Sequence, residues 1–278
     1  VRLLLRLLCS VPVDGIGMNQ PEEMSEATRA ARLPAFFYLV ELESCGSTND
    51  EAKELARQGA PEGTMIFAHR QTGGRGRRGR AWNSPEGNLA CSLVLRPALP
   101  PADAALLSFV AALAVAETVA ALTPARPTLK WPNDVLAGGA KISGILLESE
   151  PGPTGLVDWL VLGTGINVSA FPDDTPYPAT CLRAVGAVAD ITPRLVLAHY
   201  SRHFERWYQH LLRQGFAPIR AAWLNAAQGL GAPVTVRLAH ENFSGILLDL
   251  DMDGALLVDC DGFIRRVTAG DVFFGREG

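Results

Sequence analysis

The chain has 278 residues, 48 % apolar and 19 % charged, enough for a well-buried main domain and a small second one. A net charge of −4 and a pI near 5.8 exclude a protein held to nucleic acid by a bulk basic field, so any basic patch is local. The five cysteines, Cys9, Cys45, Cys91, Cys181 and Cys260, are scattered and never spaced as CxxC, which argues against a disulfide framework or zinc knuckle and for a reducing cytoplasm.

Residues 1–10 (VRLLLRLLCS) superficially resemble a short secretion or lipoprotein signal ending at Cys9, but Arg6 breaks the apolar run. What remains is too short to span a membrane, and Met18 or Met24 offers an alternative start of translation. Residues 1–34 are therefore read as a disordered or mis-annotated extension, and no other segment as membrane-spanning.

Residues 36–42 (FFYLVEL) predict a first strand, followed by a helix over EAKELARQG that Ser47 caps, with Asp50 completing a capping box and Gly59 with Pro61 ending it. A second strand at 64–71 runs into a glycine-arginine loop at 72–87, and NLACSLVLR predicts a third strand. Pro100 and Pro101 open one long helix that reaches about Leu122. Strands follow around TLKW, across KISGILLES after the Gly138-Gly139 turn, and along LVDWLVLGTGINV after a Pro-Gly turn at 151–155. Two helices come next, at about 193–213 and 216–227, the first with Val196, Tyr200, Phe204, Trp207 and Leu211 on one stripe. Past Gly229, short strands with hairpin turns at Asp253-Gly254 and Asp261-Gly262 predict a small all-β domain, an SH3-like barrel.

Four segments carry chemistry. In Gln71-Thr72-Gly73-Gly74-Arg75-Gly76-Arg77-Arg78-Gly79-Arg80-Ala81-Trp82, glycines let the backbone approach a ligand and arginine forks suit phosphate or carboxylate; it is not a Walker A loop. A solvated RNA-binding Arg-Gly stretch is the alternative, although such stretches belong in tails rather than between strands. Lys130-Trp131-Pro132-Asn133-Asp134-Val135 holds a cation, an amide and a carboxylate on a proline-stiffened turn, suited to a nucleotide with its magnesium or equally to a plain surface turn. In Lys141-Ile142-Ser143-Gly144-Ile145-Leu146-Leu147-Glu148, strand alternation sets Lys141 on one face with Ser143 and Ile145, either as an exposed edge charge or as a buried cation awaiting an anion. Gly163-Thr164-Gly165-Ile166-Asn167-Val168 sets an amide beside two close-approach glycines, or is a bulged core strand.

Together, in this order and at these separations, the segments resemble the biotin protein ligase family, also called biotin–[acetyl-CoA-carboxylase] ligase, whose pattern runs STN, QTxGRGRxGRxW, KWPND, KxxGIL and GxGxN. The resemblance spans roughly residues 36–275. It implies an α+β fold: a mixed sheet packed with helices, of the class II synthetase-like biotin/lipoate ligase type, over residues 35–229, and an SH3-like β-barrel over 230–278. It implies that Ser47, Thr48 and Asn49 bind biotin and that Gln71 contacts its polar ring. Gly74, Arg75, Gly76 and Arg77 then belong to a loop that closes over biotin and its adenylate. Arg78, Trp82, Lys130, Trp131, Asn133, Asp134 and Asn167 match nucleotide-side positions, and Gly144 a backbone contact to biotin. Lys141 matches the lysine that reaches the biotin carboxylate and the α-phosphate, which makes Lys141 and Arg77 the catalytic pair.

The implied reaction uses ATP and biotin, passes through biotinyl-5'-AMP, and needs no protein nucleophile. Mg2+ would be held mainly by the ATP phosphates, with Asp134 as the one candidate contact and no dedicated protein cage. The expected partner is the biotin carboxyl carrier domain of acetyl-CoA carboxylase or another carboxylase, with no membrane and with homodimerisation open. About 35 residues precede the first strand, too few for the winged helix-turn-helix of the repressor-type members, so no specific DNA binding is expected. The rival lipoate ligase or octanoyltransferase reading requires either a different loop or a cysteine nucleophile in these motifs, and none lies there. A non-catalytic RNA-binding module does not explain the intact KWPND and Lys141 segments.

Overall fold

The computed structural model describes residues 31–175 and 177–274, so most of the expected extension over residues 1–34 lies outside the described residues. Seven strands form a mixed sheet in the order β1-β2-β3-β7-β6-β5-β4, where β1 is Tyr38–Cys45, β2 Thr64–Gln71, β3 Leu89–Leu95, β4 Pro127–Lys130, β5 Asp134–Ala137, β6 Ala140–Pro151 and β7 Val157–Ile166. Only the β1–β2 pair is parallel, because helix α1, Thr48–Arg57, crosses between them; tight turns join the antiparallel neighbours β4–β5, β5–β6 and β6–β7. Gly138 and Gly139 both take positive φ in the β5–β6 turn, a conformation that L side chains rarely adopt.

Helix α1 covers one face of the sheet, where Ala52 and Ala56 pack on Ile66, Val94, Trp159 and Val161. Its end forms a Schellman closure, with Ala60 N–H donating to Leu55 O, Gly59 N–H to Ala56 O, and Gly59 at φ +86°. The expected capping box does not form: Ser47 stands at the N-cap without a side-chain bond to the helix. Arg75 and Lys53 engage the Asp50 carboxylate instead, and the first helical N–H, on Thr48, donates to Gln71 Oε1 at 2.9 Å.

The other face carries the main core. The single helix expected from Pro100 is broken at Ala105–Leu106 into α2, Pro101–Ala104, and α3, Leu107–Leu122. α3 is apolar nearly all round because it lies between the sheet and α4, Pro193–Gln214, and each fully buried Leu or Val contributes about 1.5–3 kcal/mol. The stretch Pro101–Leu122 is long and apolar enough to cross a membrane, contrary to the sequence reading, yet 67 % of its apolar window is buried inside the fold. On α4 the buried stripe is Val196, Tyr200, Phe204, Tyr208 and Leu211; Trp207, expected there, is only partly buried.

α5, Ala217–Asn225, leads into a five-stranded antiparallel sheet in the order β11-β10-β9-β8-β12. Its strands are β8, Pro233–Arg237; β9, Asn242–Leu250; β10, Leu256–Cys260; β11, Phe263–Val267; and β12, Asp271–Phe274. The expected turns appear, with Asp261 and Gly262 both at positive φ between β10 and β11. This sheet is tied to the larger one by the Trp131 indole N–H, which donates to Gly254 O at 3.0 Å.

Candidate active site

The four chemistry-bearing segments meet in one cavity floored by β6 and β7. The start of α1 and the end of β2 bound it on one side, the β4–β5 turn on the other, and the 72–87 loop and β12 cover it.

On the α1 side the groups are mainly hydrogen-bonding. Ser47, Thr48 and Asn49 are buried, although they open a helix, and Gln71 accepts from both the N–H and the hydroxyl of Thr48. These bonds fix the Gln71 amide with Oε1 toward Thr48, leaving Nε2 as its free donor. Ser92 donates to Asn49 Oδ1 at 2.6 Å, and Asn49 Nδ2 donates to Glu148 Oε2 at 2.8 Å. A Cβ on Gly163 would stand 2.2 Å from Asn49 Oδ1, so this amide needs the glycine beneath it. Lys53 bridges Asp50 at 2.9 Å and Glu148 at 2.8 Å, while Arg75 grips Asp50 through both terminal nitrogens at 2.6 Å. The Arg75 bond holds the Asp50 carboxyl well below the usual carboxylate range. Burial pushes the Glu148 carboxyl up, but the bonds from Lys53 and Asn49 outweigh it and leave it below its ordinary value.

On the β4–β5 side the groups are cationic. Lys141 Nζ lies 2.7 Å from Asp134 and 5.6 and 5.2 Å from the Trp82 and Tyr177 rings. The expected alternation fails here. A bulge in the β5–β6 ladder pairs Val135 with Ser143 but Leu136 with Lys141, which leaves Ile142 as an extra residue. Lys141 therefore shares the cavity face with Gly144, whose added Cβ would lie 3.4 Å from Lys141 Cε, while Ile142 and Ile145 face the core and Ser143 donates to Gly165 O. Trp82 lies across this floor: a Cβ on Gly165 would stand 2.4 Å from its indole and one on Gly144 3.0 Å. Asn133 is fixed by its Nδ2 bond to Ile145 O and by the Ile145 N–H to Asn133 O. Lys130 Nζ lies 5.2 Å over the Phe273 ring, and burial lowers its pKa.

The loop turns back on itself at Arg78 and Gly79, both at positive φ, with Gly76 N–H bonded to Arg80 O at 2.7 Å. Arg78 and Arg80 thereby reach the same carboxylate, Asp271 of β12, at 2.9 Å each. Burial pushes Asp271 up, but its bond to Arg80 and the charges of Arg80, Arg78 and Arg77 hold it below its ordinary value. Arg77 faces the cavity and is held only by long contacts, 3.4 Å to Asn133 Oδ1 and 3.4 Å to Gly270 O; burial lowers its pKa, a cost that an incoming anion would offset.

Most of the expected site residues line this cavity: Ser47, Thr48, Asn49, Gln71, Arg75, Gly76, Arg77, Trp82, Lys130, Trp131, Asn133, Asp134, Lys141 and Gly144. Gly74, Arg78 and Asn167 do not. Gly74 packs against Gln71 Nε2 and Trp82 O too closely for any Cβ. Asn167 is 3 % exposed and donates to Thr180 O, which pins the loop that carries Tyr177. Trp131, though it lines the cavity, is buried and holds the second sheet through Gly254.

Sequence reasoning missed Glu148, Ser92, Tyr177, Asp271 and Phe273. The last two lie on β12, outside every motif that the sequence singles out. Cys91 lines the cavity, but burial pushes its thiol up to about 12, so it offers no thiolate nucleophile. Among the described residues no group of three His, Cys, Asp or Glu side chains is placed to hold a metal; Asp134, in the cavity beside Lys141, is the carboxylate that fits a magnesium arriving on phosphates.

Comparison with known proteins identifies the family and the fold. The Biotin/lipoate A/B protein ligase family matches residues 42–167, and the Biotin protein ligase C terminal domain matches residues 229–275. The Biotin--[acetyl-CoA-carboxylase] ligase of Paracoccus denitrificans is 41 % identical over 238 residues, 82 % of this chain and 97 % of that protein. The Bifunctional ligase/repressor BirA of Bacillus subtilis is 36 % identical over 244 residues, 86 % of this chain and 74 % of that protein. Among solved structures, the biotin protein ligase from Aquifex aeolicus in complex with biotin and ATP superposes with a TM-score of 0.73 at 29 % identity, covering 84 % of this chain and 97 % of that one. The cavity, both sheets and these relatives lead to one conclusion: the chain belongs to the biotin protein ligase family.

Proposed function

We propose that the chain joins biotin to ATP as biotinyl-5'-AMP in this cavity and transfers the biotinyl group to a lysine of a carboxylase carrier domain. The observation that carries the reading is the division of one cavity into a hydrogen-bonding end, Ser47, Thr48, Asn49 and Gln71, and a cationic end, Arg77, Lys130 and Lys141. A neutral polar ring suits the first. The biotin carboxylate and a triphosphate, two anions that must meet, suit the second.

In the first half-reaction a biotin carboxylate oxygen attacks the α-phosphorus, the bond to pyrophosphate breaks, and charge grows on the phosphate oxygens. Lys141 and Arg77 offset that charge from fixed positions, the electrostatic stabilisation that nucleotidyl transfer requires. Gln71 offers Nε2 as a donor to the biotin ring, and Gly144 its backbone. Trp82 supplies a flat face for the adenine, beside Lys130, Asn133 and Asp134. Magnesium on the phosphates, within reach of Asp134, supplies further charge neutralisation when bound. In the second half-reaction the carrier lysine attacks the acyl carbon, the C–O bond to phosphate breaks, and AMP leaves. The 73–82 loop screens the adenylate from water until then.

We place this reaction in the cytoplasm, on the scattered and unpaired cysteines of the described residues. Two measurements test the reading: biotin-dependent ATP–pyrophosphate exchange, and intact mass of a carrier domain after incubation with the protein, biotin and Mg-ATP. No exchange and no biotinyl mass on the carrier would overturn it.

A further inference from the structure

An acyl-adenylate reacts with any accessible neutral amine, so an enzyme that makes one is exposed to its own lysines. The 278 residues contain three lysines, Lys53, Lys130 and Lys141, against twenty-two arginines. All three lysines lie at or beside the cavity; the rest of the chain's fixed positive charge is guanidinium, which stays protonated and is not an acyl acceptor.

We propose, resting on the adenylate-forming function above, that the lysine side chains of this chain are built as non-acceptors for its own intermediate: each ε-amine is ion-paired or half-buried against an aromatic ring, so among lysines biotinyl-AMP, held or escaped, is attacked only by one that another protein presents. Acceptor specificity then has two sources, the docking of the partner and an enzyme surface with arginine where acceptor lysines would otherwise stand.

The three sites are protected differently. Lys53 is clamped between Asp50 at 2.9 Å and Glu148 at 2.8 Å, with its side chain 17 % exposed. Although burial opposes the charge, those two carboxylates raise its pKa above the ordinary lysine value. Lys141 is paired with Asp134 at 2.7 Å and enclosed by the Trp82 and Tyr177 rings, with its side chain 15 % exposed. Only the neutral amine attacks: a C–N bond forms at the acyl carbon, the C–O bond to phosphate breaks, AMP leaves with the electron pair, and the amine's proton passes to solvent. An ordinary lysine of pKa about 10.4 is neutral to roughly one part in a thousand near pH 7.5, and for Lys53 the two carboxylates lower that fraction further. Lys130 is the stringent case, because burial lowers its pKa and so raises its neutral fraction. Its protection is position: it is half-buried on the nucleotide side of the cavity, with Nζ 5.2 Å over the Phe273 ring that β12 brings across from the second sheet.

The test uses the full chain and chemically synthesised biotinyl-AMP in excess, with a lysine-rich bystander protein in the same tube, read by intact mass and peptide mapping. The native three lysines should acquire biotinyl mass at least tenfold more slowly, per lysine, than the bystander's exposed lysines. In urea they should rise to the bystander rate. R183K and R213K, at exposed positions away from the cavity, should be labelled at the bystander rate while exchange activity is unchanged. Labelling of any native lysine in the folded protein at the bystander rate would overturn the proposal, as would introduced lysines that stay unlabelled. Because the adenylate is supplied ready-made, the result is independent of whether the chain makes it: an unlabelled chain with no exchange activity would refute the proposed function and leave the shielding intact.

Discussion

Replacing Gly165 with alanine adds one methyl group, 2.4 Å from the Trp82 indole, where carbon contacts are normally about 3.5–4 Å. The indole must retreat by more than an ångström, and it is free to do so, because Trp82 is half-buried within the 72–87 loop rather than locked in the core. The stability cost should therefore lie near the low end for overpacking, about 1 kcal/mol. Binding of ATP should suffer more. If the indole is the adenine platform, its displacement removes stacking worth about 1–3 kcal/mol, roughly a 5- to 150-fold rise in the ATP KM. Exchange assays that vary ATP at saturating biotin, and biotin at saturating ATP, separate the two substrates, and the biotin KM should stay within about twofold, since Ser47, Thr48, Asn49 and Gln71 are untouched. A double-mutant cycle sharpens the result: G165A/W82A should be no worse than W82A alone. A folded G165A variant with an unchanged ATP KM, or effects that simply add, would refute the placement of adenine on Trp82.

Lys141→Ala should fold and bind biotin yet lose about 2.7–4 kcal/mol of transition-state stabilisation, roughly 10²- to 10³-fold in single-turnover adenylation; a wild-type rate would remove Lys141 from the chemistry. Asp271→Asn takes away the carboxylate shared by Arg78 and Arg80, and with exposed pairs contributing about 0.2–1 kcal/mol each, trypsin cleavage at those arginines should rise about two- to thirtyfold; unchanged cleavage would show that β12 does not hold the loop. The pH response follows from the depressed carboxyls of Asp50 and Asp271. A folded pKa below the unfolded value near 3.9 gives stability that is fully present above that value and lost as pH falls through the folded pKa. The Trp82 fluorescence, taken as the difference from W82A, should thus stay constant from pH 7 to about 4.5 and change only below the ordinary carboxylate range; a transition near pH 6 would show that these ion pairs do not hold the loop.

What the sequence by itself determined is what short-range rules encode. Glycines at the β5–β6 and β10–β11 turns announce backbone at positive φ, alternating and continuous apolar runs announce strands, and five motifs in fixed order announce the family. The turns, the strands and each motif taken singly depend on residues a few positions apart, and the order of the motifs is read along the chain without any knowledge of contacts. Tertiary structure decided the contacts whose partners are distant in sequence. Asp50 ignored its own helix cap because Arg75 and Lys53 compete for the same oxygens with full charges, which a backbone N–H does not carry. Trp131 was drawn off to Gly254, and Asn167 to the 178–182 loop, since a buried donor must find a partner wherever the fold provides one. The bulge beside Lys141 appears only when β5 pairs with β6, because register belongs to two strands at once, and that one extra residue turns Lys141 into the cavity beside Gly144. Asp271 closes the site from more than 190 positions away, on the second sheet rather than on the one that carries the motifs; the sequence names the cations, and only the assembled fold supplies the carboxylate that holds them.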